Sequence, residues 1–379
     1  MGYESIITTV VFLVCLALIV IVILWLINKH SYAYSMSKQT SLTVPINQNI
    51  YSVTPQVRTE SPNKEGFQTQ KGNNNYYSLR DYYIMGSYNT CVEGPYDGGS
   101  VSISYLKNAI ALGYRFLDFE IYSSNNDEPI VSCSTNETEC GTEATTFYSV
   151  PFVDVMQTID TYAFTNSGCM NFRDPLIVNL RIKTCNVNVV SKLAEIFKKY
   201  QRHMLGPSYS FNSQNSNFGD TPLPQLMGKI CVFVDSKSVD YSSNRNFMEY
   251  VNSSTITGFL KEMTQSAFKN IPSLNELIEY NKRNMTVVLP DYSNPKNSVA
   301  QAYQNAGCQV VAMLIWKKDS YLTAHDDYFS KQFHSAFVLK PEKYRYIQET
   351  IPAPIPQNPA NSYASRPLDT GVAGITLAI

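Results

Sequence analysis

The sequence predicts an α/β protein, a distorted TIM-type (β/α)8 barrel preceded by one transmembrane helix at the N-terminus. Between residues 76 and 348, eight short apolar runs alternate with helical stretches, which is the pattern of an α/β barrel. The apolar fraction of 44% is that of a chain able to form a large core. A separate uncharged apolar run near the N-terminus predicts the transmembrane helix.

The N-terminal run extends from Ile6 to Ile27 and consists mainly of Ile, Leu and Val. As a helix rising ~1.5 Å per residue it spans about 33 Å, enough for a bilayer core of ~30 Å. A cleaved signal peptide would begin with basic residues and end at a small-residue site, and this run has neither. We therefore expect residues 1–30 to anchor the chain in a lipid bilayer.

The charges around the anchor predict its orientation. Lys29, Lys38 and Arg58 follow the run, and no basic residue precedes it. The positive-inside rule therefore places the bulk of this single-pass protein on the cytosolic side. Three N-x-[ST] sequons, which would favour the other side, begin at Asn136, Asn252 and Asn284. An Asn- and Ser-rich chain produces such triplets by chance, so we give the charges more weight.

Composition divides the rest of the chain into three parts. Residues 31–75 are rich in Ser, Thr, Gln, Asn and Pro and predict a flexible stalk. Residues 76–348 carry the barrel pattern, and residues 349–379 begin with closely spaced prolines that predict an extended tail. The barrel itself divides into a first half (78–235), a connection (236–280) and a second half (281–348).

The eight apolar runs predict the barrel strands. They are Tyr82–Met85, Arg115–Ile121, Pro129–Val131, Leu176–Ile182, Lys229–Val234, Met285–Leu289, Gln309–Trp316 and Ala336–Leu339. Helices are predicted at Ser102–Leu112 and at Val190–Tyr200, where apolar side chains recur on one face. In such a barrel the functional groups lie at the C-terminal ends of the strands.

Net charge and cysteine usage exclude several classes of protein. The chain has 30 Lys and Arg against 31 Asp and Glu and no basic stripe, so no nucleic-acid partner is predicted. Seven cysteines outside the anchor, without a C-x-x-C pair, argue against a disulfide framework and a zinc ribbon. We expect mostly free, buried thiols, with Cys133 and Cys140 as a candidate disulfide.

Five motifs occur in order along the predicted barrel. They are Gly86–Thr90, Gly113–Glu120, Pro129–Cys133, Asn305–Ala312 and Phe337–Glu342. In order and spacing, residues 78–346 resemble the catalytic barrel of the phosphoinositide-specific phospholipases C. The resemblance implies the same barrel fold and, in an intact member, cleavage of the phosphodiester of an inositol lipid.

The resemblance also implies where catalytic residues would stand. That family uses two histidines, because imidazole titrates near neutral pH and can move protons there. The matching positions in this chain are Tyr88 and Cys133, and a tyrosine, which titrates near ~10, is a poor base. The four histidines of the chain stand elsewhere, at His30, His203, His325 and His334. We therefore expect a degenerate site and a pseudoenzyme.

A calcium site is implied by the same resemblance. Asn89, Asp118 and Glu120 match three calcium ligands of the family, and oxygen ligands suit this ion. Arg181 stands at the fourth position, where a guanidinium repels calcium or replaces it by pairing with the carboxylates. We expect an ion pair of Arg181 with Asp118 and Glu120 and no cofactor. The alternatives are bound calcium, or exposed acids without a partner.

The same resemblance implies that this chain binds the substrate of the family more weakly. The family holds the ring phosphates with lysines on the fifth strand, but after Lys229 this strand is apolar and ends in Asp235. No basic cluster remains for a polyphosphate head group.

Three functions follow, and we favour the first. It is a membrane-anchored, catalytically inactive barrel that acts as a structural or interaction module, with the bilayer and the proteins of a larger assembly as partners. By analogy, the Asn- and Tyr-rich composition suits a minor virion protein of a large DNA virus that links an internal membrane to capsid proteins. The alternatives are an inositide head-group binder without turnover and an active phosphodiesterase with a rearranged site.

Overall fold

The structure is a computed structural model, and it describes seven stretches of the chain and six residues of the N-terminal run. The stretches are 76–94, 99–134, 148–211, 217–235, 238–332, 335–347 and 367–378, and the six residues are 15, 16, 18–20 and 22. The chain divides into two compact units, residues 1–346 and residues 347–379.

The strands of the first unit are numbered in chain order. They are β1 (Tyr82–Ser87), β2 (Val92–Glu93), β3 (Ser100–Val101), β4 (Phe116–Ser123), β5 (Pro129–Ser132), β6 (Val150–Pro151), β7 (Leu176–Ile182), β8 (Ile230–Asp235), β9 (Val251–Ser254), β10 (Leu260–Thr264), β11 (Met285–Leu289), β12 (Val310–Met313) and β13 (Phe337–Leu339).

The helices of the same unit follow the same order. They are α1 (Ile103–Ala111), α2 (Phe152–Tyr162), α3 (Val187–Lys199), α4 (Leu223–Leu226), α5 (Arg245–Met248), α6 (Gln265–Lys269), α7 (Leu274–Arg283), α8 (Ala300–Gln304) and α9 (Ser320–Ser330). The two helices predicted from the sequence correspond to α1 and α3. Each begins at a polar N-cap residue, Ser102 or Asn186, whose side chain accepts a hydrogen bond from a backbone N–H of the first turn.

Eight strands run parallel in the order β10-β11-β12-β1-β4-β7-β8-β9 and form a nearly closed barrel. The strands at the two ends of this order, β9 and β10, are consecutive in the chain but are not paired with each other in the described sheet. This arrangement confirms the predicted α/β barrel. Strands such as β7 and β11 are buried along their whole length, which explains why their sequences are almost continuous apolar runs.

Two of the eight segments predicted as barrel strands are strands, but the prediction that they belong to the parallel barrel is wrong. Pro129–Val131 and Ala336–Leu339 form β5 and β13, and these strands pair antiparallel with β4 and β1 at the side of the barrel. The barrel positions belong instead to β9 and β10, which the apolar pattern did not predict. Their sequences, Val-Asn-Ser-Ser and Leu-Lys-Glu-Met-Thr, contain too many polar residues to form an apolar run.

The cysteines of the barrel are mostly free and buried, as expected. They are Cys91, Cys133, Cys169, Cys231 and Cys308. The candidate disulfide between Cys133 and Cys140 is wrong, because Cys133 is not disulfide-bonded and its sulfur accepts a hydrogen bond from Asn89 inside the barrel. Cys185, which the sequence analysis did not single out, is disulfide-bonded.

The predicted membrane anchor, Ile6–Ile27, lies mostly outside the described residues. The six residues of this run that are described are helical, and their side chains are exposed. Within the described parts of the chain, no helix combines the length and the apolar character needed to cross a bilayer. The predicted stalk, residues 31–75, also lies outside the described residues.

The second unit contains a short antiparallel hairpin of β14 (Pro367–Asp369) and β15 (Thr376–Ala378). Two glycines in its loop, Gly371 and Gly374, have positive φ angles of 71° and 88°, which a glycine adopts without strain. The sequence analysis did not predict this hairpin, and residues 348–366 lie outside the described part of the tail.

Candidate functional site

The polar residues singled out from the sequence meet inside the barrel, on β4, on β7 and just after β1. Asp118 and Glu120 are two residues apart on β4, so their side chains leave the strand on the same face. In the pairing of β4 with β7, Asp118 stands opposite Asn179 and Glu120 opposite Arg181. The strand register therefore brings both carboxylates to the guanidinium.

The ion pair expected between Arg181 and the two acids is present. Arg181 Nε and Nη2 donate to the two oxygens of Asp118 at 2.9 and 2.7 Å, which is a bidentate pair. Arg181 Nη1 donates to Glu120 Oε1 at 2.8 Å. The three side chains are at most 1% exposed, so this is a fully buried ion triad. Burial alone would lower the pKa of Arg181, but the carboxylates raise it well above its usual value.

Asn89 ties the turn after β1 to this triad. Its φ angle is 42°, in the left-handed region that asparagine tolerates better than most residues. Its backbone N–H donates to Asp118 Oδ2 at 3.0 Å, and its side-chain oxygen accepts from Arg181 Nη2 at 2.7 Å. Its amide nitrogen donates to Glu120 Oε1 at 3.3 Å and to Cys133 Sγ at 3.1 Å.

Both oxygens of Asp118 carry two donors each. Oδ1 accepts from Arg181 Nε and from Asn179 Nδ2, the latter at 2.9 Å. Oδ2 accepts from Arg181 Nη2 and from the backbone N–H of Asn89. A carboxylate oxygen has about two lone-pair positions, so this carboxylate has no free one.

Each carboxylate oxygen of Glu120 also accepts two hydrogen bonds. Oε1 accepts from Arg181 Nη1 and Asn89 Nδ2. Oε2 accepts from the Tyr122 hydroxyl at 2.8 Å and from the backbone N–H of Ser134 at 3.0 Å. A calcium ion would need several of these oxygens together and would meet the Arg181 charge among them. The three candidate ligands therefore meet in space, but this arrangement of donors does not fit the ion.

Tyr88, at the first catalytic position implied by the resemblance, lies against the guanidinium. Arg181 Cζ is 4.8 Å from the centre of the Tyr88 ring and 5.7 Å from that of Tyr292. These distances are in the range of a cation–π interaction, which is stronger in a desolvated site. Burial raises the pKa of Tyr88 well above its usual value, with Arg181 opposing this shift. The phenol is therefore neutral at physiological pH.

Cys133, at the second implied position, is also protonated. Burial raises the pKa of the thiol well above its usual value, and the Glu120 charge raises it further. A thiol acts as a nucleophile only as the thiolate, which needs an electropositive and partly exposed setting. Cys133 is fully buried and has a carboxylate nearby, so it lacks both conditions.

Neither histidine of the described chain reaches this site. His203 stacks on Phe164 with ring centres 4.2 Å apart, and its Nδ1 lies 3.3 Å from the Gly228 carbonyl oxygen. His325 is buried on α9 between Tyr114 and Phe329. The other two, His30 and His334, lie outside the described residues.

Asn179 and Glu262 belong to the site and were missed from the sequence. Asn179 Nδ2 donates both to Asp118 Oδ1 and to Glu262 Oε1, the latter at 2.6 Å. Asn179 could have been found, because it precedes Arg181 by two residues on one strand and so shares its face. Glu262 had no such signal, since β10 itself was not predicted.

Glu262 has a strongly perturbed acidity. Burial and, to a lesser extent, the charges of Asp235 and Asp118 raise its pKa from 4.5 to about 8, against the lowering effect of Arg181. Asp235, which the sequence analysis noted as an acid at the end of a strand, pairs in register with Arg181 and accepts from the Thr255 hydroxyl. This side of the barrel is therefore acidic.

Comparison with known proteins agrees with this geometry. Residues 76–236 match the family described as phosphatidylinositol-specific phospholipase C, X domain. Among solved structures, L. pealei PLC21 is similar with a TM-score of 0.58 and 20% identity, over 79% of this chain and 41% of that chain. S. officinalis PLC21 is similar with a TM-score of 0.55 and 21% identity, over 72% and 38%.

The chain thus has an α/β barrel similar to that of the phosphatidylinositol-specific phospholipases C, and residues 76–236 match the X domain of that family. It spans about two fifths of the length of these two proteins. At these identities the solved structures establish the common fold, and the chemistry has to be argued from the residues described above.

Proposed function

We propose that this protein is a membrane-anchored, catalytically inactive phospholipase C-like barrel that serves as a structural or interaction module. The observation that carries the proposal is the buried Arg181 guanidinium, bound by Asp118, Glu120 and Asn89 at 2.7–2.9 Å. In this position it uses up the oxygens that a cation or a substrate hydroxyl would need.

The missing proton chemistry supports the same proposal. Hydrolysis of a phosphodiester at neutral pH needs groups that gain and lose protons there. Burial keeps Tyr88 and Cys133 protonated, and the described histidines lie away from both. We further propose that the barrel needs no cofactor, because the donors around Asp118 and Glu120 leave no room for calcium.

One observation favours the rival proposal of a rearranged phosphodiesterase. Glu262, with a pKa of about 8, titrates close to neutral pH and lies in the same barrel. Its neighbour Asp235 has no Lys or Arg partner among the described residues, however, and would repel a phosphate that approached it. The same repulsion weighs against an inositide head-group binder, so we rank both alternatives below the interaction module.

Partners and location are proposed from the sequence. The run Ile6–Ile27 would hold the protein in a bilayer, and the barrel would contact proteins of a larger assembly, such as the capsid proteins of a virion with an internal membrane. No nucleic-acid partner is proposed. The basic residues after the anchor favour the cytosolic side, whereas a disulfide-bonded Cys185 is typical of an oxidising compartment. Protease protection of the full chain in sealed microsomes decides between the two sides.

Hydrolysis assays on the purified full chain test the proposed function. The chain in detergent is incubated with vesicles of phosphatidylinositol or its phosphates, with calcium or with a chelator, beside an active phospholipase C. We expect no release of inositol phosphate above the protein-free control. Turnover that is lost in Asp118→Asn or in Glu262→Gln would overturn the proposal. Saturable binding of a soluble inositol phosphate without turnover would instead establish the head-group binder.

A further inference from the structure

Two side-chain oxygens inside the barrel have no hydrogen-bond donor among the residues that the structure describes. They are Asn179 Oδ1 on β7 and Glu262 Oε2 on β10, and both are covered from solvent. The two side chains contact each other, because Asn179 Nδ2 donates to Glu262 Oε1 at 2.6 Å. Since β7 and β10 are not neighbouring strands, this contact crosses the barrel interior.

Unpaired buried acceptors are rare in folded proteins and mark a place where a donor is expected. Asn179 is fully buried, and its other donor contact goes to Asp118. The side chain of Glu262 is partly exposed as a whole, although Oε2 is covered. Of the two side chains, Glu262 is therefore the more accessible to a donor from outside.

The charges around Asn179 and Glu262 indicate whether the expected donor is positively charged or neutral. Asp118 is already neutralised by Arg181, but Asp235 at the end of β8 has no Lys or Arg partner within ion-pair distance in the described chain. Lys183 lies over the Tyr292 ring at 4.9 Å and forms no ion pair there among the described residues. Near Glu262, Asp235 is therefore an acid without a matching cation among the described residues.

The number and arrangement of the acceptors specify the kind of cation. A metal ion is disfavoured, because the described residues contain no group of three Asp, Glu, His or Cys side chains placed to hold one. A guanidinium carries five donors in a flat fork, more than two vacant acceptors and one carboxylate can use. A primary ammonium is compact and carries three N–H donors, which matches the three groups.

We propose that the barrel binds a primary ammonium group between Asn179, Glu262 and Asp235. A lysine side chain of a protein partner and a free polyamine carry the same group, and the test below separates these two sources. This proposal does not depend on whether the barrel hydrolyses lipids, so it can fail while the proposed function holds, and the reverse.

Binding of an ammonium at this site should release a proton from Glu262. The pKa of Glu262 is raised to about 8 by burial and by Asp235 and Asp118, against the lowering effect of Arg181, and Tyr292 also lies near. Glu262 is therefore mostly protonated at neutral pH, and an ammonium that binds to it must release that proton. Affinity should rise as the pH approaches the Glu262 pKa and level off above it.

Titration calorimetry of the full chain in detergent provides the test, with propylammonium as the probe. Measurements in buffers of different ionisation enthalpy give the number of protons released, and we expect close to one at neutral pH. In Glu262→Gln this release should vanish and affinity should fall at least about tenfold, with a smaller loss in Asp235→Asn. Glu276→Gln, which removes an exposed carboxylate on α7, should bind like the wild type.

Tetramethylammonium has the same charge but no N–H donor, and it should not bind. Absence of propylammonium binding, equal affinity in Glu262→Gln, or equal binding of tetramethylammonium would each overturn the proposal. Once propylammonium binds, spermidine and an acetylated lysine methylamide distinguish the sources. Tighter binding of spermidine indicates a polyamine, and tighter binding of the lysine derivative indicates a protein side chain.

Discussion

Arg181 is the residue on which the interior of the barrel depends. It is fully buried and bonds to three side chains that would otherwise be unpaired charges or acceptors. A buried ion pair adds little net stability relative to an apolar replacement, because both charges lose their hydration. Removing one partner is a different matter, since Asp118 and Glu120 would then remain buried without a counter-charge.

Replacing Arg181 with alanine should therefore be strongly destabilising. We expect a loss of about 3–5 kcal/mol in the free energy of unfolding, measured by urea denaturation. The matched control is Arg202→Ala, because Arg202 forms an equally well-aligned bidentate pair with Asp160 but is 67% exposed. An exposed pair contributes less than ~1 kcal/mol, so equal losses in the two variants would contradict this account of the triad.

Glu262 should make stability depend on pH. Its pKa is raised from 4.5 to about 8 on folding, so between these values the folded state binds more protons than the unfolded state. Stability from this residue is then present at low pH and is lost as the pH rises towards 8. We expect Glu262→Gln to match the wild type near about pH 4 and to be more stable near about pH 8.

Urea denaturation of both proteins across this pH range measures the effect, with Glu276→Gln as the control. The difference between Glu276→Gln and the wild type should stay nearly constant, because Glu276 is exposed on α7. A difference between Glu262→Gln and the wild type that does not grow with pH would show that Glu262 is ionised in the folded protein.

At the scale of elements, burial on both faces decided which strands could be predicted. The bounds of β7 and β11 follow directly from their apolar runs. An apolar run does not reveal the direction of a strand, however, and so β5 and β13 were placed in the barrel although they pair antiparallel beside it. The polar strands β9 and β10 become visible only through the pairing that the fold imposes.

The candidate site also contains residues that could be predicted from the sequence and others that could not. The ion triad was predicted from the family resemblance, which put Arg181 at the fourth calcium position together with Asp118 and Glu120. In the structure, the parallel pairing of β4 with β7 brings these positions together. Asn179 was available from the two-residue period of β7. The contact between Asn179 and Glu262 crosses the barrel and joins residues 83 positions apart, so no local pattern could reveal it.

The close approach of β1 and β12 depends on Gly86. A Cβ atom at this position would come within 2.7 Å of a side-chain methyl of Val310, so alanine requires the Val310 side chain or the strands to shift. We expect Gly86→Ala to lower the free energy of unfolding by about 1–3 kcal/mol, measured by denaturant titration.

Gly206→Ala is the matched control for Gly86→Ala. Its φ is −74°, and a Cβ there would meet no atom within 4 Å. Alanine at this position should be neutral or stabilise by up to ~1 kcal/mol, through the unfolded state. A neutral Gly86→Ala would mean that β1 and β12 can move apart without cost.

At the scale of the whole molecule, the interior of a phospholipase C-like barrel is occupied by its own side chains. Arg181 stands among the oxygens that resemble calcium ligands, Tyr88 and Cys133 stay protonated, and the opposite wall carries Asp235 and Glu262. Together these features support our proposal of a catalytically inactive barrel that serves as an interaction module.

The most direct measurement of this central claim is the calcium dependence of thermal unfolding, for the wild type and for Arg181→Glu. The wild type should unfold at the same temperature with calcium and with a chelator. In Arg181→Glu the internal cation is replaced by a fourth oxygen ligand, so calcium should raise a lowered unfolding temperature. A calcium-dependent rise in the wild type that disappears in Asp118→Asn would contradict the claim that Arg181 occupies the position of the ion.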